Sequence, residues 1–126
     1  MTQEDKELLF KDLYARLPYN VICQVEFRES GKYQSKSMFL SGVFTDEAYF
    51  TTESGSIYSN EYKPYLFPLS SMTDEQEEEY NDLNCCELGC FPHTEEALDY
   101  LIKNHFDYRG LIEKGLAIDA TNLNIY

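Results

Sequence analysis

Hydrophobic positions along this chain change period several times, and each change marks an element. Leu9, Phe10, Leu13, Tyr14 and Leu17 recur at i, i+1, i+4, i+5 and i+8, the stripe of an amphipathic helix. Thr2 and Asp5 form a weak capping box ahead of it. Pro18 disfavours helical geometry at the residue before it and so sets the helix end at Leu17. From Val21 the period drops to two: Val21, Cys23, Val25 and Phe27 alternate with Ile22, Gln24, Glu26 and Arg28, as in a strand with one core face. Ser30-Gly31 marks a turn. A second strand runs from Tyr33 to Phe44 with Met38, Leu40, Gly42 and Phe44 on one face; Phe39 stands opposite them among serines, which leaves the inward face open. Thr45-Asp46-Glu47 turns the chain into a third strand, 48–52, and Ser54-Gly55 turns it again before Ile57 and Tyr58. The expectation is an antiparallel meander of three or four strands.

Residues 59–72 break this alternation. Pro64 and Pro68 argue against a central strand, yet Tyr58, Tyr62, Tyr65, Leu66, Phe67 and Leu69 are too apolar for a free linker. The stretch reads as an aromatic strap lying across the sheet or helices; alternatively, Tyr62, Tyr65 and Phe67 are anchors for a partner protein. Exposure decides between the two. Thr73 and Gln76 then form a capping box, and Asp74, Glu75, Glu77, Glu78 and Glu79 crowd the first turns of a short solvated helix. Glu75, Glu78 and Glu79 are its candidate partner contacts.

Thr94 caps a further helix whose apolar stripe is Ala97, Leu98, Leu101 and Ile102, extended by Phe106 if the helix runs on. Asn104 is the expected left-handed stop. Asp107 is expected to cap one more helix, with Tyr108, Leu111 and Ile112 as its apolar face and Gly115 as its end. Leu116, Ala117 and Ile118 read as a short strand or a buried tail.

The whole is an α+β domain in a single unit: helix 1–18, sheet 19–58, strap 59–72 and an acidic helical part 73–126, with the short C-terminal helices packed on the sheet. A chain of 126 residues, 43% hydrophobic with 11 Tyr and 8 Phe, has enough material for one packed core. Its net charge is −13. Residues 1–72 hold 10 acids and 7 bases, whereas 73–126 hold 13 acids and 3 bases. That surface repels phosphate backbones, so direct nucleic-acid binding is not expected and a protein partner with a basic surface is. Arg109 and Lys114 on a helix pair invite a helix-turn-helix reading, but the local excess of acid opposes it; Arg109 is expected to pair with Asp107 or Glu113. No apolar run reaches membrane-spanning length and no signal peptide is expected at the N-terminus, so the expected location is the cytoplasm, with Cys23, Cys85, Cys86 and Cys90 reduced.

Two stretches, 63–75 (Lys-Pro-Tyr-Leu-Phe-Pro-Leu-Ser-Ser-Met-Thr-Asp-Glu) and 105–117 (His-Phe-Asp-Tyr-Arg-Gly-Leu-Ile-Glu-Lys-Gly-Leu-Ala), carry a resemblance over roughly the second half of the chain. They resemble small uncharacterised acidic proteins of gut bacterial genomes, prophages and mobile elements. The resemblance implies a phage or mobile-element origin and brings no activity with it.

Catalytic signatures are missing: there is no P-loop, G-x-G-x-x-G, H-E-x-x-H or G-x-S-x-G. With 23 acids in the chain, a pair of carboxylates carries no information. The chain is therefore expected to be non-enzymatic and without a cofactor. One alternative rests on Cys86, Cys90 and His93, whose donor types suit zinc, with Cys23 or His105 as a fourth ligand; the spacing is not a standard C-x2-C knuckle. The reading is a protein-interaction module, in its sharper form an acidic mimic of nucleic acid; the alternative is a small metal-binding or thiol-dependent module at 85–93.

Overall fold

The computed structural model describes residues 2–43, 47–52, 55–86, 89–90 and 94–126, with the backbone alone at 29, 52, 85, 86, 89 and 90. The first helix, α1 (Gln3–Arg16), opens on the expected capping box: Thr2 Oγ1 accepts the Asp5 N–H at 3.1 Å, and the Asp5 carboxylate accepts the Thr2 N–H at 3.3 Å. Its buried face differs from the expected stripe. Leu9, Asp12, Leu13 and Arg16 point inward, at i, i+3, i+4 and i+7, while Phe10 and Tyr14 face out and stack on each other at 6.2 Å. The helix is turned because Asp12 and Arg16 neutralise one another in the interior, as described below. Nor does Pro18 end the helix by excluding Leu17 from helical geometry. Leu17 stays right-handed and starts a 3-10 turn (Leu17–Tyr19); the chain breaks away only at Asn20, in the left-handed region at φ 55°.

Strands β1 (Ile22–Glu29), β2 (Lys32–Val43), β3 (Ala48–Thr52) and β4 (Gly55–Ser59) form the expected antiparallel meander. Ser30 and Gly31 both take positive φ, the type I′ geometry that matches strand twist. The inner face carries Val21, Cys23, Val25, Met38, Leu40, Ala48 and Phe50, all buried. A bulge between Leu40 and Gly42 shifts the alternation, so Val43 rather than Gly42 packs against the core. Phe44 and the turn at Thr45 and Asp46 lie outside the described residues, as does Ser54.

The stretch expected as a strap contains a strand, β5 (Glu61–Pro68). It pairs antiparallel with β1 through Glu61–Pro64, then in parallel with β9 (Ile118–Asp119) at Tyr65 and Leu66 and with β8 (Phe106–Asp107) at Phe67 and Pro68. The sheet order is β4-β3-β2-β1-β5-β8, with β9 also on β5. Pro64 is tolerated for a register reason. The Val21 carbonyl accepts the Leu40 N–H, so odd-numbered residues of β1 turn their backbone groups to β2 and even-numbered ones to β5. Cys23 opposite Pro64 is then a non-hydrogen-bonded pair, and the N–H that proline lacks is not needed. Pro68 is the last residue of the strand.

Two more helices follow, α2 (Asp74–Leu83) and α3 (Glu95–Lys103), joined through a short hairpin of β6 (Cys85–Cys86) and β7 (Gly89–Cys90). The expected further helix over 107–114 does not form. His105, not Asn104, takes the left-handed turn at φ 63°, which sends Phe106 into β8. Gly110 is also left-handed, at φ 73°, and interrupts any helix through it. Asp107 still caps, accepting the Leu111 and Ile112 N–H groups at 3.0 and 2.9 Å. Gly115 closes the single turn, with Leu116 N–H on the Leu111 carbonyl and Gly115 N–H on the Ile112 carbonyl. Leu116 and Ala117 enter the core. Among the described residues no helix is long and apolar enough to cross a membrane.

The rotated face of α1 makes a sharp contrast between neighbours. Leu13→Ala should lower the unfolding free energy by about 2–5 kcal/mol, whereas Tyr14→Ala, 64% exposed, should stay within about 0.5 kcal/mol. Urea denaturation of the two variants checks this, and comparable losses would mean that the buried face is misassigned.

Candidate functional site

The most polarised surface is the pair α2 and α3. Six carboxylates lie on α2 (Asp74, Glu75, Glu77, Glu78, Glu79, Asp82) and three on α3 (Glu95, Glu96, Asp99); all nine are exposed, and Lys103 is the single base. Nine acids against one base give −8, so these two helices hold most of the chain's −13. Glu75, Glu78, Glu79 and Asp82 repeat at i, i+3, i+4 and i+7 and share one face of α2. With a rise of about 1.5 Å per residue, these four charges are stepped along the axis by about 4.5, 1.5 and 4.5 Å, a dense but uneven row compared with the roughly 3.4 Å per phosphate of one DNA strand.

Such a helix cannot be held by its own core, since α2 buries no residue. End contacts fix it instead. Thr73 Oγ1 accepts the Gln76 N–H at 3.2 Å, and Gln76 returns a bond to the Thr73 N–H at 2.9 Å. Asn84, buried at the end of α2, donates to the Tyr80 carbonyl and accepts the Thr94 N–H at 3.1 Å. Thr94 caps α3 by accepting the Ala97 N–H, and its hydroxyl donates to the Leu83 carbonyl at 2.8 Å. Tyr100 donates to the Glu79 carboxylate at 2.9 Å; desolvation and that bond push its hydroxyl up to about 12. Glu79 is thus a fixed charge, while Glu75 and Glu78 face solvent.

The three aromatic candidates are largely committed to internal packing. Tyr62 lies 5.2 Å from the Phe50 ring, Tyr65 is 8% exposed, and Phe67 packs at 6.2 Å on Phe106 and 5.9 Å on Tyr126. Exposed rings occur elsewhere: Tyr33, Phe39 and Tyr58 share the outer face of the sheet, with Tyr49 packed against Tyr58 at 4.7 Å. The signal for them was Phe39 standing opposite Met38 and Leu40.

Of the proposed metal ligands, His93 lies outside the described residues, and Cys86 and Cys90 are described by their backbone alone. Their register is informative even so. Cys90 stands opposite Cys85, and Cys86 opposite Gly89. Cys23 is fully buried on β1, and burial pushes its thiol up, which keeps it protonated and poorly suited to metal. Among the described residues no group of three His, Cys, Asp or Glu is placed to hold a metal ion.

A buried ionic centre escaped the sequence. Arg16 Nε donates to Asp12 Oδ2 at 2.7 Å and Nη2 donates to the Phe106 carbonyl at 2.6 Å, both side chains fully buried. Arg109 reaches the other Asp12 oxygen at 3.3 Å and donates to Tyr108 Oη at 2.9 Å, so its partner is neither Asp107 nor Glu113. Arg16 Nη1 has no hydrogen-bond acceptor among the described residues; the Tyr108 ring lies 5.8 Å from the guanidinium carbon. The i, i+4 spacing of Asp12 and Arg16 was readable, but its burial was not.

No protein-family model, curated protein or solved structure matches the chain.

His105 offers a pH test. Burial, and then the Arg16 charge, lower its pKa from 6.5 to about 4. The unfolded chain therefore takes up this proton first as pH falls, and stability should drop between about pH 6.5 and 4. In His105→Asn, which keeps a residue tolerant of the left-handed backbone, that part of the decline should vanish. Thermal midpoints across the range measure it; identical pH profiles for the two proteins would refute the assignment.

Proposed function

We propose that this chain is a non-enzymatic protein-interaction module of phage or mobile-element type. Its acidic α2–α3 face docks on a basic surface of another protein. The observation that carries the reading is the concentration of −8 on α2 and the exposed side of α3. In its sharper form the module is a nucleic-acid mimic: the Glu75, Glu78, Glu79 and Asp82 row presents a line of like charges along one helix face, and it occupies a groove that otherwise receives nucleic acid. The end-capped helices support this role because they hold the charges in place without an apolar core beneath α2. Tyr62, Tyr65 and Phe67 contribute at most their edges, given their packing.

Capture from bacterial lysate tests the reading, with the wild-type chain compared to a Glu75→Gln/Glu78→Gln/Glu79→Gln variant at low and high salt. A specific partner should be retained by wild type at low salt, lost at high salt, and bound at least about tenfold more weakly by the variant. Competition by duplex DNA supports the mimic; a partner indifferent to both salt and the three substitutions would sink the acidic face as the docking surface.

A second reading is a small metal-binding or thiol-dependent module at 85–93 with Cys86, Cys90 and His93 as candidate ligands, supported by the hairpin that brings the backbone of three cysteines together. Elemental analysis of protein purified without added zinc separates it from the first. One zinc per chain is the supporting outcome, and metal-free protein removes zinc binding from consideration.

A further inference from the structure

The sheet has two unequal faces. Helix α1 packs on the inner one, whereas the outward positions of β4, β3, β2 and β1 stay largely in solvent. Nearer β8 the chain covers itself: the Tyr126 ring rests on Phe67 at 5.9 Å, and its hydroxyl accepts the Ile22 N–H and donates to the Tyr65 carbonyl, both at 2.8 Å. Away from that end, Tyr33, Phe39 and Tyr58 are 59%, 48% and 57% exposed. The outward positions of β2, β3 and β4 hold these rings and Tyr49 among serine and threonine, with no charged side chain. Tyrosine and phenylalanine interleaved with serine offer rigid contact area and adaptable hydroxyls together, the chemistry of a surface built to bind protein.

Charge decides what can approach this face. The chain carries −13, and α2 with α3 holds −8 of it. Helix α3 packs beside β8, at the far end of the order β4-β3-β2-β1-β5-β8. Four strand spacings of about 4.8 Å separate β3 from β8, roughly 19 Å, or about two Debye lengths at physiological salt. The outward charges that β1 and β5 add to the face are Glu26, Arg28, Glu61 and Lys63, two of each sign. Among the described residues none of the four forms an ion pair. Tyr33 steadies two of them: Arg28 lies over its ring at 5.1 Å, and Glu61 accepts its hydroxyl at 3.3 Å. The strands therefore present a neutral face with unpaired acids and bases in equal number, on a chain that is otherwise strongly acidic.

We propose that two copies of this chain meet at this face, sheet on sheet about a two-fold axis. A basic partner is drawn to α2–α3 and finds no net charge here, and an acidic partner is repelled by the chain as a whole. A second copy meets the first with least repulsion at this neutral face, far from both acidic helix pairs. It also brings the same acids and bases, so that each sign faces its opposite across the axis and sets the register. Five strands about 4.8 Å apart and about 20 Å long give a flat footprint of roughly 500 Å². The relief of rings such as Phe39 and Tyr58 raises the accessible area above that figure, toward the roughly 600–1,000 Å² per partner of a standard interface. The two rings form the apolar centre of the contact, with serine hydroxyls and bridging water around them. The dimer does not depend on the role of α2–α3, because that surface stays open at the opposite edge.

Sedimentation equilibrium of the full chain, from about 1 μM to about 1 mM, tests the proposal. A species of twice 14.7 kDa should grow with concentration. It should also strengthen as salt rises, since screening removes repulsion between two acidic chains, whereas docking through α2–α3 weakens. Phe39→Thr combined with Tyr58→Thr keeps side chains suited to a strand and should weaken the dimer at least about tenfold. Tyr14→Ala, which removes an exposed ring on α1, should leave it unchanged. If the double variant does not fold, Phe39→Thr alone replaces it, with a loss of dimer in the same direction. A chain that stays at 14.7 kDa over the whole range, a dimer untouched by these substitutions, or one that weakens as salt rises overturns the proposal.

Discussion

Arg16 carries a full charge into the interior, and much of the molecule is arranged around it. One guanidinium joins the first helix to the last third of the chain, through Asp12 on its own helix and the Phe106 carbonyl 90 residues away. Coulomb attraction within a buried pair only offsets the loss of water, so such a pair is weak evidence of added stability. What it does enforce is placement, because losing one partner leaves the other charged and dry, typically at a cost of about 3–5 kcal/mol. Helix α1 consequently presents Asp12 and Arg16 inward and leaves Phe10 and Tyr14 in solvent. Arg109, 21% exposed at its side chain, adds a second cation that water can still screen.

A division of labour follows from how each half is held. The sheet and α1 share an apolar core, closed by a register that accommodates a proline within β5. Helix α3 is seated by its buried Ala97, Leu101 and Ile102, whereas α2 depends on directional contacts from Thr73, Asn84, Thr94 and Tyr100. Hydrogen bonds of this kind position a helix without demanding an apolar face, which frees the α2 surface for carboxylates. Crowding so many like charges on two neighbouring helices costs self-repulsion, and a cationic partner would relieve it. That is the physical case for reading the surface as an interface.

Strand β5 is the hub that connects these parts. It meets β1 antiparallel and the two short C-terminal strands in parallel, and its unpaired stretch is completed by a tyrosine hydroxyl instead of a backbone. Side-chain completion of a ladder is a weaker tie than continued pairing, because one rotatable side chain replaces a run of bonds.

Local rules in the sequence determined a good deal. Alternation placed β1 to β4 and most of their inward residues, Ser30-Gly31 fixed a hairpin, and Thr2, Thr73 and Thr94 marked three helix starts. All of these depend on residues within a few positions of each other. Tertiary structure decided what depends on distant partners. Whether Pro64 could sit in a strand turned on which edge of β1 it faced. The inward face of α1 turned on a carbonyl 90 residues away, and Arg109 chose Asp12 over its sequence neighbours. Parallel pairing with Phe67 and Pro68 drew Phe106 and Asp107 into a strand, while the helix beyond them was interrupted locally by left-handed Gly110. Periodicity reports which side of an element is apolar; it carries no information about which remote group will satisfy a buried charge or an unpaired backbone.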